Sequence, residues 1–229
     1  MPYFKDVNRV LAIIPARGGS KGIPNKNLVP LKGKPLVQWT IDVAKEAKSI
    51  RDIVLTSDSR DILDVGCHQG VRLLLREPEL AQDDTSTEAV IKDVLDKHIT
   101  DFDPTCIVLL QPTSPIRQSK HIDEAVDMLI RENLDSVVLV VESHSMLWSK
   151  KKYKTRPKPM YDITNRQRRQ DMGGQYEENG SIYAFTIDHW ESMQNRLGGN
   201  MGLYVMPGQT RIQVDSLFDL DLVRYIAEK

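Results

Sequence analysis

Arg17, Gly18, Gly19, Ser20, Lys21 and Gly22 crowd two cations and three glycines into one turn, directly after the apolar run "LAIIPA". Glycine lets backbone N–H groups come close to an anion, and Arg17 and Lys21 supply the opposite charge. The spacing matches neither the GxxxxGK[ST] of a P-loop nor the GxGxxG of a dinucleotide fold, which disfavours a generic ATPase or an NAD enzyme. On residue types alone the turn reads as a phosphate cradle or as a solvent-exposed link between strand and helix. Lys26 and Asn27 follow with a further cation and an amide that both donates and accepts, a suitable match for a base edge. A second polar stretch, "QPTSPIR", also follows an apolar run. There Gln111 emerges at a strand's C-terminal end with Thr113, Ser114 and Arg117 behind it. An amide and two hydroxyls can grip a polyol, yet Pro112 and Pro115 equally bracket an ordinary surface turn.

Elements that could hold these groups recur along the chain. "VLAIIPA", "DIVLTSD", "CIVLLQP", "SVVLVVE", "SIYAFTI" and "GLYVMPG" are short, rich in Ile and Val, and read as buried strands. Helical patterns separate the first four. Val37, Ile41 and Ala44 share one face; Val90, Ile91 and Val94 share another, behind Asp and Thr cap candidates; Ile122, Val126 and Leu129 repeat the pattern. The alternation predicts an α/β fold with a doubly wound, mainly parallel but mixed sheet. Ligands of such sheets lie beyond the C-terminal strand ends, where both polar stretches emerge. After Glu142 the periodicity stops. Residues 143–180 carry many Lys, Arg, Pro and Gly residues, and a structureless loop of that length is expected to be functional, partnered or flexible. The basic run Lys150–Lys152 reads as a solvated face rather than a nuclear signal.

Composition sets outer bounds. The chain has 229 residues, 40% of them hydrophobic, and a net charge of -1. That suffices for one core over residues 1–229 and offers no bulk attraction to nucleic acid or an anionic membrane. Cys67 and Cys106 are too few for a disulfide framework or a zinc knuckle. Met1 to Val10 is polar and no run approaches the ~20 apolar residues of a membrane span, so a cytoplasmic, soluble protein is expected.

The stretch "IIPARGGSKGIPNKNL" resembles the N-terminal signature of the acylneuraminate cytidylyltransferases. Further matches follow in order: "TSDS", "REPELAQDDTST", "LLQPTSPIR", "RRQDMGGQYEENGSIY" and "VDSLFDLDL". The resemblance implies a Rossmann-like nucleotidyltransferase. In such an enzyme the 2-hydroxyl of a nine-carbon keto acid attacks the α-phosphate of CTP, pyrophosphate leaves and a CMP-sugar forms. It implies Mg2+ as cofactor, CTP and a sugar acid as partners, and a homodimer whose irregular segment at 143–180 lends residues to the neighbour's pocket. A related acid (KDN, legionaminate or pseudaminate) as acceptor, or a non-catalytic nucleotide-binding relative, stays open.

By the same resemblance the nucleotide set comprises Arg17, Gly18, Gly19, Ser20, Lys21, Lys26 and Asn27, with Thr87 or Ser86 adding a hydroxyl. Lys21 falls at the triphosphate, where it would stabilise transition-state charge beside Arg17. Gln111, Thr113, Ser114 and Arg117 fall on the sugar side. Arg169 would meet the sugar carboxylate, for which a planar guanidinium is suited, and Tyr183 falls in the sugar pocket. The family places D-x-D near the C-terminus for the metal; this chain reads Gln213, Val214, Asp215. Asp215 is therefore the expected metal ligand, and Gln213 could orient a metal-bound water.

Overall fold

The computed structural model describes residues 9–98, 102–150 and 156–227. Residues 1–8 of the polar N-terminal stretch and most of the basic run at Lys150–Lys152 lie outside the described residues. Seven strands build one sheet: β1 (Val10–Pro15), β2 (Ile50–Ser57), β3 (Arg72–Leu75), β4 (Cys106–Leu110), β5 (Ser136–Glu142), β6 (Tyr176–Thr186) and β7 (Met201–Val205). Their spatial order is β7-β5-β6-β4-β1-β2-β3. All neighbours pair in parallel except β6, which runs antiparallel to both β4 and β5. The expected mixed sheet is thus observed, with all six apolar runs in it.

Among the described residues six α-helices flank the sheet: α1 (Leu36–Glu46), α2 (Arg60–Gln69), α3 (Thr87–His98), α4 (Ser119–Arg131), α5 (Ile187–Met193) and α6 (Leu217–Ala227). The two-residue period of a strand explains why both sheet faces are covered. Val10, Ala12 and Ile14 of β1 pack with α1, α2 and α4, while Leu11 and Ile13 pack with α3 and Trp190 of α5. A smaller apolar cluster joins Ile23, Leu31 and Leu36 to Val214, Leu220 and Val223. It fastens the glycine turn to α6. Cys106 is fully buried within β4, as the run "CIVLL" suggests.

Three elements depart from the sequence reading. α2 and β3 lie between two expected strands in a stretch read as having one helix only. Strand β6 begins at Tyr176, well before the expected "SIYAFTI". Its pairing with β5 shifts between Glu178 and Tyr183, where Gly180 takes a left-handed φ of 64°. The bulge interrupts the apolar alternation that a strand is recognised by.

Candidate active site

β1 and β4 end side by side, and the two polar stretches leave the sheet there. They line a cavity of about 290 Å³, whose walls include Arg17, Ser20, Asn27, Arg76, Thr87 and Gln111. Gly19, Lys26 and Thr113 also face it. Residues from four separate parts of the chain therefore converge on one space, beyond the C-terminal edge of the sheet.

Asn27 is 6% exposed and sits in a short 3-10 turn, Lys26–Leu28. Its Nδ2 donates to the Arg17 carbonyl at 2.9 Å, and its Oδ1 is buried with no partner among the described residues. One half of the amide fixes the turn and the other is left as an acceptor at the cavity wall. An unmatched buried acceptor is costly unless a ligand donor meets it. Arg76 poses the same question in the opposite sense. It is 4% exposed, and its Nε and one terminal nitrogen have no partner among the described residues. Burial lowers its pKa, with Asp58 and Asp93 opposing and Arg17 adding to the shift. The sequence reading did not single out Arg76. It follows the apolar "RLLL" of β3 directly, the same signal that marked Arg17 and Gln111.

Both cations of the glycine turn are held by one carboxylate. Asp83 accepts from Arg17 at 2.8 Å through Oδ1 and from Lys21 at 2.6 Å through Oδ2. Hydrogen bonds from Lys21 and then Arg17 hold the Asp83 carboxyl below the usual carboxylate range. Asp83 also lines the cavity. Lys21 itself does not face the cavity and is largely exposed. Gly18 departs from the expected cradle, because its N–H donates to Asp58 Oδ1 at 2.8 Å and so is not free for a phosphate. Ser86 caps α3, its Oγ accepting from the Ala89 N–H at 3.1 Å, and Thr87 is the residue that faces the cavity.

The sugar-side residues divide. Gln111 and Thr113 reach the cavity. Ser114 and Arg117 are corrected to interior supports, 2% and 5% exposed. Ser114 Oγ donates to the Asn179 carbonyl, and the Arg117 guanidinium donates to the carbonyls of Ser181 and Gln111 and to Thr40 Oγ1. The local reason is the β6 bulge, whose freed carbonyls need donors. Arg169 lies apart, lining an open cavity of about 570 Å³ with His144 and Arg211. Tyr183 is buried in β6; its hydroxyl donates to Glu178 Oε2 at 3.0 Å, and the Arg196 guanidinium stands 4.7 Å from its ring centre. Burial and Glu178 push the phenol up to about 12.

Lys26 binds Asp215 Oδ1 at 2.8 Å, with the lysine side chain mostly buried and the aspartate mostly exposed. The backbone beneath is tight. A Cβ at Gly22 would lie 2.1 Å from the Asp215 carbonyl oxygen, so only glycine fits there. Gln213 lies against Gly180, where a Cβ would come within 2.7 Å of its amide nitrogen. Among the described residues no three His, Cys, Asp or Glu side chains gather to hold a metal ion. Neither Asp215 nor Gln213 is among the residues that line the first cavity, and one carboxylate with a neutral amide is a sparse donor set that Mg2+ would have to complete with water and ligand oxygens.

The fold, the cavity at its carboxyl edge and the paired polar loops together define a nucleotidyltransferase-like architecture. A family model described as cytidylyltransferase matches residues 11–222, and the chain belongs to that family. It is 34% identical over 218 residues to N-acylneuraminate cytidylyltransferase A of Danio rerio, a match covering 93% of this chain and 50% of that protein. The enzyme of Streptococcus agalactiae serotype III is 33% identical over 213 residues, covering 91% and 51%. The chain thus spans about half the length of these curated relatives. A post-translational flagellin modification protein B of Campylobacter coli is 27% identical, with 97% of each chain covered. Among solved structures, CMP:2-keto-3-deoxy-manno-octonic acid synthetase complexed with CTP superposes with a TM-score of 0.70 at 18% identity, over 96% of this chain and 98% of that one. Among the described residues no helix is long and apolar enough to cross a membrane.

Proposed function

We propose that the chain transfers CMP from CTP to the 2-hydroxyl of a sialic-acid-type nine-carbon keto acid, with release of pyrophosphate. The observation that carries this reading is the single cavity shared by the glycine turn and the "QPTS" turn. A donor nucleotide on the first and an acceptor sugar on the second would meet within it. Asn27 Oδ1 and the unpartnered nitrogens of Arg76 are then the groups that a pyrimidine's polar edge or a phosphate satisfies. Arg17 and Lys21 stabilise the charge that builds on the phosphates, once those oxygens displace Asp83. No covalent enzyme intermediate is required, so positioning and electrostatics carry the acceleration.

Asp215, with Gln213 through water, would hold Mg2+ on the triphosphate, and the ion would supply charge neutralisation at the phosphate oxygens. Lys26 fixes the Asp215 carboxylate in place. A homodimer is part of the proposal. Between β5 and β6, Trp148–Ser149 pairs with Lys158–Pro159, and Leu147, Trp148, Met160 and Ile163 are all more than half exposed on this arm. Such a cluster suits burial against a second copy. The cytoplasm is the compartment that fits a CTP-consuming enzyme.

A second reading keeps the chemistry and changes the acceptor to a related acid: KDN, legionaminate or pseudaminate. The full-length similarity to the flagellin modification protein favours it. A panel of sugar acids, assayed for pyrophosphate release with CTP and with each other NTP, tests both. Release with CTP and N-acylneuraminate supports the first, and release with another acid alone supports the second. CTP binding with no pyrophosphate from any acid would leave a non-catalytic nucleotide-binding relative.

A further inference from the structure

Behind the 111–117 loop lies a second cavity, of about 390 Å³, which shares no residue with the first. Leu31, Trp39, Ile116 and Ile226 give it apolar walls, and Arg117, Lys120 and His121 line its other side. No step of the proposed reaction uses it.

Arg117 is the unusual member. It is 5% exposed, and all its acceptors are neutral oxygens: the Ser181 and Gln111 carbonyls and Thr40 Oγ1. Its Nε has no partner among the described residues. A buried cation with no opposing carboxylate is costly, and its field favours an anion close by. Burial pushes its pKa down to about 9, which leaves it charged at neutral pH. Lys120 adds a second cation, and both Lys120 and His121 stand in the first turn of α4, where the helix end is itself positive. The two acidic groups that follow on α4 are both engaged elsewhere: Asp123 accepts from the Ser49 N–H and hydroxyl, and Glu124 accepts from the Tyr204 hydroxyl. Positive potential on one side of an apolar chamber selects one kind of guest.

We infer that this cavity binds a small carboxylic acid with an apolar body, and that Arg117 transmits its presence to Gln111. The apolar part would lie against Trp39 and Ile226, and the carboxylate would face Arg117 and Lys120. The guanidinium already grips the Gln111 carbonyl, and Gln111 faces the first cavity. Rear occupancy and front geometry therefore share one side chain.

The test needs no catalysis and so stands apart from the proposed reaction. The 15N-labelled full chain is titrated with 4-phenylbutyrate and, separately, with neutral 4-phenylbutyramide. The Trp39 indole and Gln111 resonances are followed. The acid should bind saturably and move both signals, at least ~10-fold more tightly than the amide, the factor by which a charge-assisted hydrogen bond exceeds a neutral one. Ala227→Trp, which fills the chamber from the end of α6, should abolish binding. Lys120→Gln should weaken the acid and leave the amide unchanged. Equal binding of acid and amide, binding that survives Ala227→Trp, a Gln111 signal that stays still, or no binding at all would overturn the inference.

Discussion

A carboxylate that bridges two cations competes with any phosphate that needs them. Asp83 does so for Arg17 and Lys21, on an exposed rim where such pairs are weak. Asp83→Asn should therefore tighten CTP binding by about 1.5- to 5-fold, the range that a surface ion pair supplies. Calorimetric titration reads this directly, and weaker binding would make Asp83 a positioning group instead. The folded Asp83 pKa is depressed, so the bridge contributes above the ordinary carboxylate pKa and is lost as pH falls through the folded value. Lys21→Ala should cut turnover by at least ~10²-fold, as expected for removal of an electrostatic stabiliser; an unchanged rate removes Lys21 from the mechanism. Asp215→Asn should raise the Mg2+ concentration for half-maximal activity, and no shift would place the ion elsewhere. Of these groups, residue types drew attention to Arg17 and Lys21, the family resemblance to Asp215, and neither to Asp83. Ser114 and Arg117 misled for a physical reason. Their acceptors, the Asn179 and Ser181 carbonyls, belong to a bulge more than sixty positions away, which local spacing does not encode.

At the level of elements, two glycines separate positioning from plain packing. A Cβ at Gly66 in α2 would lie 2.6 Å from Leu55 and 2.7 Å from Leu73, inside the core. At Gly22 it would meet the Asp215 backbone. Gly66→Ala should lower stability by about 1–3 kcal/mol, the usual cost of overpacking, with kcat/KM little changed at a temperature where the protein stays folded. Gly22→Ala should lower kcat/KM as well, because it separates the glycine turn from Asp215. Thermal melts beside steady-state kinetics distinguish the two; equal kinetic losses would refute the distinction. The same elements show what the pattern could reveal. β1, β4 and β5 are buried on both faces and announce themselves as unbroken apolar runs. β3 has four residues at the sheet edge, and α2 carries Gly66 in its second half and His68 in its last turn, so neither shows a full period.

For the whole molecule, the arm between β5 and β6 carries apolar side chains that a single copy leaves uncovered. Trp148 is 55% exposed and stacks edge-on with Tyr161 at 5.9 Å. Light scattering should find a dimer, and Trp148→Glu should shift it toward monomer with the circular dichroism spectrum unchanged. A wild-type monomer at working concentration would remove the arm from the assembly. If the arm lends Arg169 to a neighbour, the same variant raises KM for the sugar acid more than for CTP. The arm was legible only as an absence of periodicity, since its exposed side chains face no internal core that would impose one.

Strand β6 also has a bearing on how the chain is made. It fills the slot between β4 and β5, yet it is synthesised after both. Until Tyr176–Thr186 leaves the ribosome, two apolar strands have no partner on their facing edges. Such edges invite adhesion to other chains. The sheet therefore stays open between β4 and β5 until β6 inserts, a non-local pairing of the kind that slows folding.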